Sequence, residues 1–223
     1  MRITRTIVAT AVGAALAASA LTGLGAAQAA PAKSAAPTAV TATAAGTTPL
    51  AAVATPFSKT WNTNWNDYNI VSHAVFAVLA AKPKSKVGVL ANGNVALTAF
   101  LPNDRAFQIL VKQLTGKTLL REREVFGVVA KLGIPTVEKV LLYHVVPGAT
   151  ITSKMALKSN GANLKTALGP TIHVAVYRGP VISLWDKAYG IRNPRVILSQ
   201  VDINKGNKQI AHGIDRVLLP FQP

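Results

Sequence analysis

Thr98-Ala99-Phe100-Leu101-Pro102-Asn103-Asp104-Arg105-Ala106-Phe107 reads as a strand that runs directly into a capped helix. Residues 95–101 are apolar at alternate and intervening positions alike, which predicts an interior strand covered on both faces. Pro102 ends it. Asn103 or Asp104 then offers the short polar side chain that accepts the free N–H groups of a first helical turn. The helix that follows buries Ala106, Phe107, Leu110 and, one turn on, Leu114, and Thr115-Gly116 closes it.

Upstream, residues 87–90 form another β run, joined to the interior strand through Ala91-Asn92-Gly93-Asn94. The Asn-Gly pair predicts a tight turn and hence a hairpin. Earlier still, Ile70, Val71, Ala74, Val75, Val78 and Leu79 recur at helical spacing behind Asn66 or Asp67 as a cap, and Lys82-Pro83 stops that helix. His73 lies beside the stripe, at a boundary or solvated position. From Ala30 to Pro56 the chain is mostly Ala, Thr, Pro, Ser and Val, with Lys33 as its only charge. Such a segment buries too little surface to offset its ordering entropy, which predicts a flexible spacer. Before it, Arg2 and Arg5 precede an uncharged run from Ile7 to Leu24, and Ala27-Gln28-Ala29 supplies a small-x-small cleavage pattern. This is the layout of a secretory signal peptide. The expected organisation is a signal peptide at 1–29, a spacer at 30–56 and a folded domain at 57–223. No second apolar run of spanning length follows, so no transmembrane span is predicted after cleavage.

Downstream, a helix is expected over 121–132, with Val125, Val128, Val129 and Leu132 inward and Gly133 closing it. Glu122 and Glu124, two positions apart, point away from each other on a helix and read as solvated partners of Arg121 and Arg123. The next segment is open. As a helix, Val137, Val140, Leu141 and His144 share a face; as a strand, Leu142, His144 and Val146 do. Pro147-Gly148 makes the turn out. Residues 171–177 alternate, and 181–186, 195–201 and 210–219 are further strand candidates between Gly, Pro and Asn punctuation. Helices in the first half and strands in the second predict an α+β fold.

The opening stretch resembles the first signature of the fasciclin domain, a strand running into a capped helix with Ala-Phe. Leu141-Leu142-Tyr143-His144-Val145-Val146-Pro147-Gly148 resembles that family's Tyr-His motif. His212-Gly213-Ile214-Asp215-Arg216-Val217-Leu218-Leu219-Pro220 resembles its closing signature. The three occur in order across about residues 67–220. Gly213 departs from the pattern, replacing a usual apolar residue, and residues 115–136 look longer than the minimal family pattern. The resemblance implies a wedge-shaped β-sandwich with several packed α-helices, serving in adhesion to cell-surface or matrix proteins and polysaccharides. Tyr143 and His144 are the contacts it points to, in a motif linked in animal members to integrin binding. With apolar neighbours on each side, the same two residues also suit a hydrogen-bonded core role that fixes the turn at Pro147-Gly148. Asp104 reads as a cap, and His212 and Asp215 as strand-packing and surface residues.

The 223 residues carry 24 Lys+Arg against 8 Asp+Glu, a net charge of +16. Loss of Arg2 and Arg5 with the signal peptide leaves +14, almost all of it on the domain. Lys82, Lys84 and Lys86, the pair Arg121 and Arg123, and the pair Arg192 and Arg195 are candidate contacts to anionic wall polymers, polysaccharides or lipid surfaces. Aromatic residues make up 6% of the chain, too few for a stacking platform, and no specific nucleic-acid recognition is predicted. The absence of Cys excludes thiol nucleophiles, disulfides and thiolate metal sites, so an exported domain here depends on its apolar core. Gly-x-Ser-x-Gly, His-Glu-x-x-His and phosphate-cradling glycine loops are absent, which leaves a hydrolase as the lesser alternative. Four His and eight acids are scattered along the sequence, so no catalytic residue, metal or cofactor is predicted.

Overall fold

The computed structural model describes residues 45–222, so the predicted signal peptide and residues 30–44 of the predicted spacer lie outside the described residues. The spacer expectation ends too late. Gly46 forms a bridge with Asn207, donating its N–H to Gly206 O and accepting from Lys208 N–H. Helix α1 (Leu50–Ala54) then buries Leu50 and Ala51. Five residues are too few to display a helical stripe, which is why composition alone assigned them to a linker.

Helix α2 (Asn69–Ala81) follows the predicted stripe. Its first turn is capped from another part of the chain: the Asp104 carboxylate accepts from Asn69 N–H (3.1 Å) and Ile70 N–H (2.8 Å), in place of Asn66 or Asp67. The predicted strand at 87–90 is instead a 3-10 helix, Lys86–Ala91, whose first turn Ser85 Oγ caps at Val87 N–H. Gly93 is not a hairpin glycine. A Cβ there would stand 1.6 Å from Thr47 O, so the position is glycine because the N-terminal segment crosses directly over it. Gln209, fully buried, fastens the crossing. Its amide donates to Val89 O (2.9 Å) and Asn92 O (2.8 Å), and its Oε1 accepts from Leu50 N–H (2.8 Å).

Strand β1 (Leu97–Pro102) leads into α3 (Asp104–Thr115) as predicted, with Asn103 as the cap: its Oδ1 accepts from Ala106 N–H at 3.0 Å. Helices α4 (Glu122–Ala130) and α5 (Ile134–Tyr143) follow, so the open segment before Pro147 is helical. After them come β2 (Val145–Pro147), α6 (Ser153–Ala156), β3 (Asn163–Lys165), β4 (Thr171–Tyr177), β5 (Val181–Trp185) and β6 (Gln209–Ile214). Residues 195–201 are not a strand. Val196 N–H donates to Ile182 O in β5 while Ile197 N–H donates to Gly213 O in β6, so this stretch crosses between two sheets and a 3-10 turn, Leu198–Gln200, follows. The last strand stops at Ile214, although Val217, Leu218 and Leu219 remain buried beyond it.

The strands form two three-stranded sheets. One has the order β2-β1-β6, with β1 antiparallel to β2 and parallel to β6; the other is the antiparallel meander β3-β4-β5. Alternation along β1 sends Leu97 and Ala99 into a core shared with α2, α3, α4 and α5. Phe100 enters a second core with Val146 and Ile214 of its own sheet and Ile172, Val174, Ile182 and Leu184 of the other. The architecture is α+β: two small sheets packed face to face with helices alongside, and neither sheet closes into a barrel. No helix among the described residues is long and apolar enough to cross a membrane.

Candidate functional site

Tyr143 and His144 close α5, where the chain turns into β2, and both face inward, at 0% and 4% exposure. The Tyr143 hydroxyl donates to Thr171 O (3.1 Å), tying α5 to the start of β4. Burial pushes its pKa up to about 12, with Asp186 contributing. His144 Nδ1–H donates to Val140 O (2.7 Å) and Nε2 accepts from Leu218 N–H (2.9 Å), tying α5 to the C-terminal segment. Burial pushes the imidazole down to about 4, against the weaker opposing effect of the Val140 carbonyl. The ring is therefore neutral at physiological pH. In this fold neither side chain offers surface to a partner; together they hold a helix end against a strand and the chain terminus.

The lysine cluster lies at the other extreme of exposure. Lys82, Lys84 and Lys86 follow α2, and with Lys139 of α5 they border a groove of about 720 Å³ whose apolar lining includes Pro83, Leu142 and Leu168. Lys82 is bound to Glu138, and Ser85 Oγ donates to the second oxygen of that carboxylate at 2.6 Å. The Lys82 hydrogen bond, then the Ser85 one, lowers the Glu138 pKa. Lys84, Lys86 and Lys139 have no acidic partner within 4 Å among the described residues, so the groove presents net positive charge.

The other predicted cations are not part of this patch. Arg121 and Arg123 flank the start of α4, with Arg121 3.6 Å from Glu124. Glu122, between them, contacts Asn69 at the first turn of α2, whereas Lys82 follows its last; thirteen helical residues put these ends about 20 Å apart. Arg192 and Arg216 both approach Asp215, at 3.6 and 3.0 Å, and Arg195 N–H donates to the same carboxylate.

Glu122 corrects the expectation of a solvated pair. It is buried, with Oε2 accepting from Asn62 N–H and from the Asn69 amide, both at 2.9 Å. Asp67, Asp104 and Glu122 bring carboxylate oxygens within 4.8 Å of one another. Burial, then a hydrogen bond shared with Asp67, raises the Asp104 pKa, and the charges of Asp67 and Glu122 add to it. Three acids distant in sequence meet at the N-terminal ends of α2, α3 and α4. No local motif announces them; the one hint was an acid in the first turn of each of two helices, which is commonplace.

His73 stacks on Trp61 with ring centroids 3.8 Å apart, and its Nε2–H donates to Thr60 O. Ser153, Asp202 and His212 also meet, but not in the order a triad requires. Ser153 Oγ donates to the Asp202 carboxylate (2.8 Å), while His212 uses Nε2–H on Ile151 O and Nδ1 on the Asp202 backbone N–H. The imidazole therefore does not stand between hydroxyl and carboxylate.

Comparison with known proteins adds three findings. A family model described as the Fasciclin domain matches residues 71–220. No curated protein sequence matches. Among solved structures, a FAS1 domain pair from the insect cell adhesion molecule Fasciclin I is similar, at 18% identity and a TM-score of 0.47. The similarity covers 67% of this chain and 46% of the insect one, so the chain spans less than half the length of that structure.

Proposed function

The chain belongs to the fasciclin domain family, whose members are often involved in cell adhesion and are generally non-enzymatic, and from that premise we propose a secreted surface-attachment module that binds anionic cell-envelope polymers. Its export rests on the signal-like pattern of residues 2–29. The observation that carries the reading is the contrast between two sets of residues. The Tyr-His pair is inside, whereas Lys84, Lys86 and Lys139 stand along an open groove without an acidic partner among the described residues.

A lining of apolar side chains and lysines suits an extended polymer that carries carboxylate or phosphate groups at intervals. Lysine ammonium groups pair with such groups as point charges, without demanding one fixed geometry. Attachment to a protein receptor is the second reading, favoured by the frequent role of the fasciclin domain family in cell adhesion. Co-sedimentation of the full chain with isolated cell envelopes, challenged with soluble anionic polysaccharide or with protease-treated envelopes, separates the two. Release by the polymer with indifference to protease supports the groove; loss of binding after protease treatment, with no release by the polymer, refutes it.

A further inference from the structure

We propose that Asp67, Asn69, Asp104 and Glu122 form a binding site for a hard divalent cation, Ca2+ in the first instance. The carboxylate oxygens lie within 4.8 Å of one another, a span that an ion with oxygen ligands at about 2.3–2.6 Å bridges. No Lys, Arg or His among the described residues forms an ion pair with any of the three acids, in a chain where basic residues outnumber acidic ones threefold. Three carboxylates gathered together, Asp104 and Glu122 buried and Asp67 half-buried, repel one another without a countercharge unless something neutralises them.

The second observation is the unfilled oxygen set. Asn69 is 0% exposed and wedged into the group, its side-chain amide on Glu122 and its backbone N–H on Asp104. Yet among the described residues no group donates to Asn69 Oδ1, nor to the buried Glu122 Oε1 and Asp67 Oδ1. Buried oxygens are ordinarily satisfied, so three orphans in one place need an explanation. A cation supplies it for Asn69 Oδ1 and Glu122 Oε1, for which the described residues provide no donor, whereas Asp67 also shares a hydrogen bond with Asp104. Carboxylates and an amide carbonyl are hard oxygen donors of the kind that suit Ca2+, Mg2+ or Mn2+, with no soft or nitrogen ligand to favour zinc or copper. Asp67 is half-buried beside the exposed Asn62, whose Nδ2 donates to Asp67 Oδ2, and this side gives an ion its entry path. Bound there, the ion would join the starts of α2, α3 and α4 to the loop before α2. The site stabilises the fold and lies at the opposite end of α2 from the lysine groove.

The test uses the full chain stripped with chelator, then titrated with CaCl2, MgCl2 or MnCl2 while Tm is followed. A parallel titration with Tb3+ reads luminescence sensitised by tryptophan, since Trp65 O accepts from Arg105 N–H next to Asp104. Saturable stabilisation is expected, raising Tm by about 5–10 °C at a hundred times Kd. Tb3+ emission should be displaced by Ca2+. Asp67→Asn, at the mouth of the site, should weaken the response at least about tenfold, and Glu122→Gln should do the same. If Glu122→Gln does not fold, Asp67→Asn decides alone. The proposal is overturned if no ion shifts Tm and Tb3+ stays dark, which would leave a shared proton as the only neutralising agent. It is equally overturned if Asp67→Asn keeps the full response.

Discussion

Acidification should unfold this domain in part through one ring, His144. Both of its nitrogens are committed in the native state, Nδ1–H to Val140 O and Nε2 to Leu218 N–H. A second proton must go on Nε2, where it would face the Leu218 donor inside an apolar core. Burial therefore holds the pKa at about 4 in the folded chain, against about 6.5 when unfolded. The sign follows from which state takes up the proton. Above the unfolded pKa the ring is neutral in both states and its contribution is complete. As pH falls through 6.5 toward 4 the unfolded chain protonates first and stability is lost, at up to about 1.4 kcal/mol per pH unit. The loss reaches about 3 kcal/mol by pH 4. Urea unfolding of wild type and His144→Gln, followed by tryptophan fluorescence from about pH 7.5 to about pH 4, isolates this contribution, because His212 and the Asp104 group are common to both proteins. Wild type should begin more stable, and its advantage should shrink by about 3 kcal/mol across the range. A difference that stays constant with pH would refute the buried neutral ring.

Tyr143→Phe removes one hydroxyl that donates to Thr171 O, so stability should fall by about 1 kcal/mol in denaturant melts while envelope binding by the folded protein stays unchanged; weakened binding would make Tyr143 a contact after all. Gly213→Ala places a Cβ 2.4 Å from the Tyr68 hydroxyl and 2.8 Å from Gln200 Cβ, and should cost about 1–3 kcal/mol by the same measurement. Gln209→Leu strands Leu50 N–H, Val89 O and Asn92 O; it should lower stability by about 2–4 kcal/mol and expose residues 45–54 to limited proteolysis, read by mass spectrometry.

The parts of the fold legible in the sequence were the locally determined ones. The strand-to-helix passage from Thr98 to Phe107 depends on neighbours within a few positions, and Asn103 caps it as its chemistry requires. Contacts between distant segments misled local rules. Asn92-Gly93 has the composition of a hairpin turn, but its glycine answers to Thr47, far back in the chain. Residues 195–201 have the apolar run and flanking punctuation of a strand, but Val196 and Ile197 bond to two different sheets in succession. Gly213 looked like a lapse from the family pattern, yet Tyr68 and Gln200 fill the space a side chain would need. The candidate site divides the same way. The lysines adjacent in sequence were visible, whereas Lys139 joined them only through the packing of α5 on α2. Glu122 carries no mark that separates it from the solvated Glu124 two positions on. Its meeting with Asp67 and Asp104 exists only once three helices have packed.

Binding of the full chain to isolated cell envelopes across a salt series, wild type beside Lys84→Ala/Lys86→Ala/Lys139→Ala, tests the groove most directly. Wild type should bind at least about tenfold tighter at about 0.05 M salt, with the two proteins converging as salt approaches about 0.2 M and screening shortens the reach of each charge. The slope of log affinity against log salt should be shallower for the variant, by on the order of one for each lysine that meets an anionic group. Equal affinities and equal slopes for the two proteins would contradict the account, placing attachment on some other face of the domain.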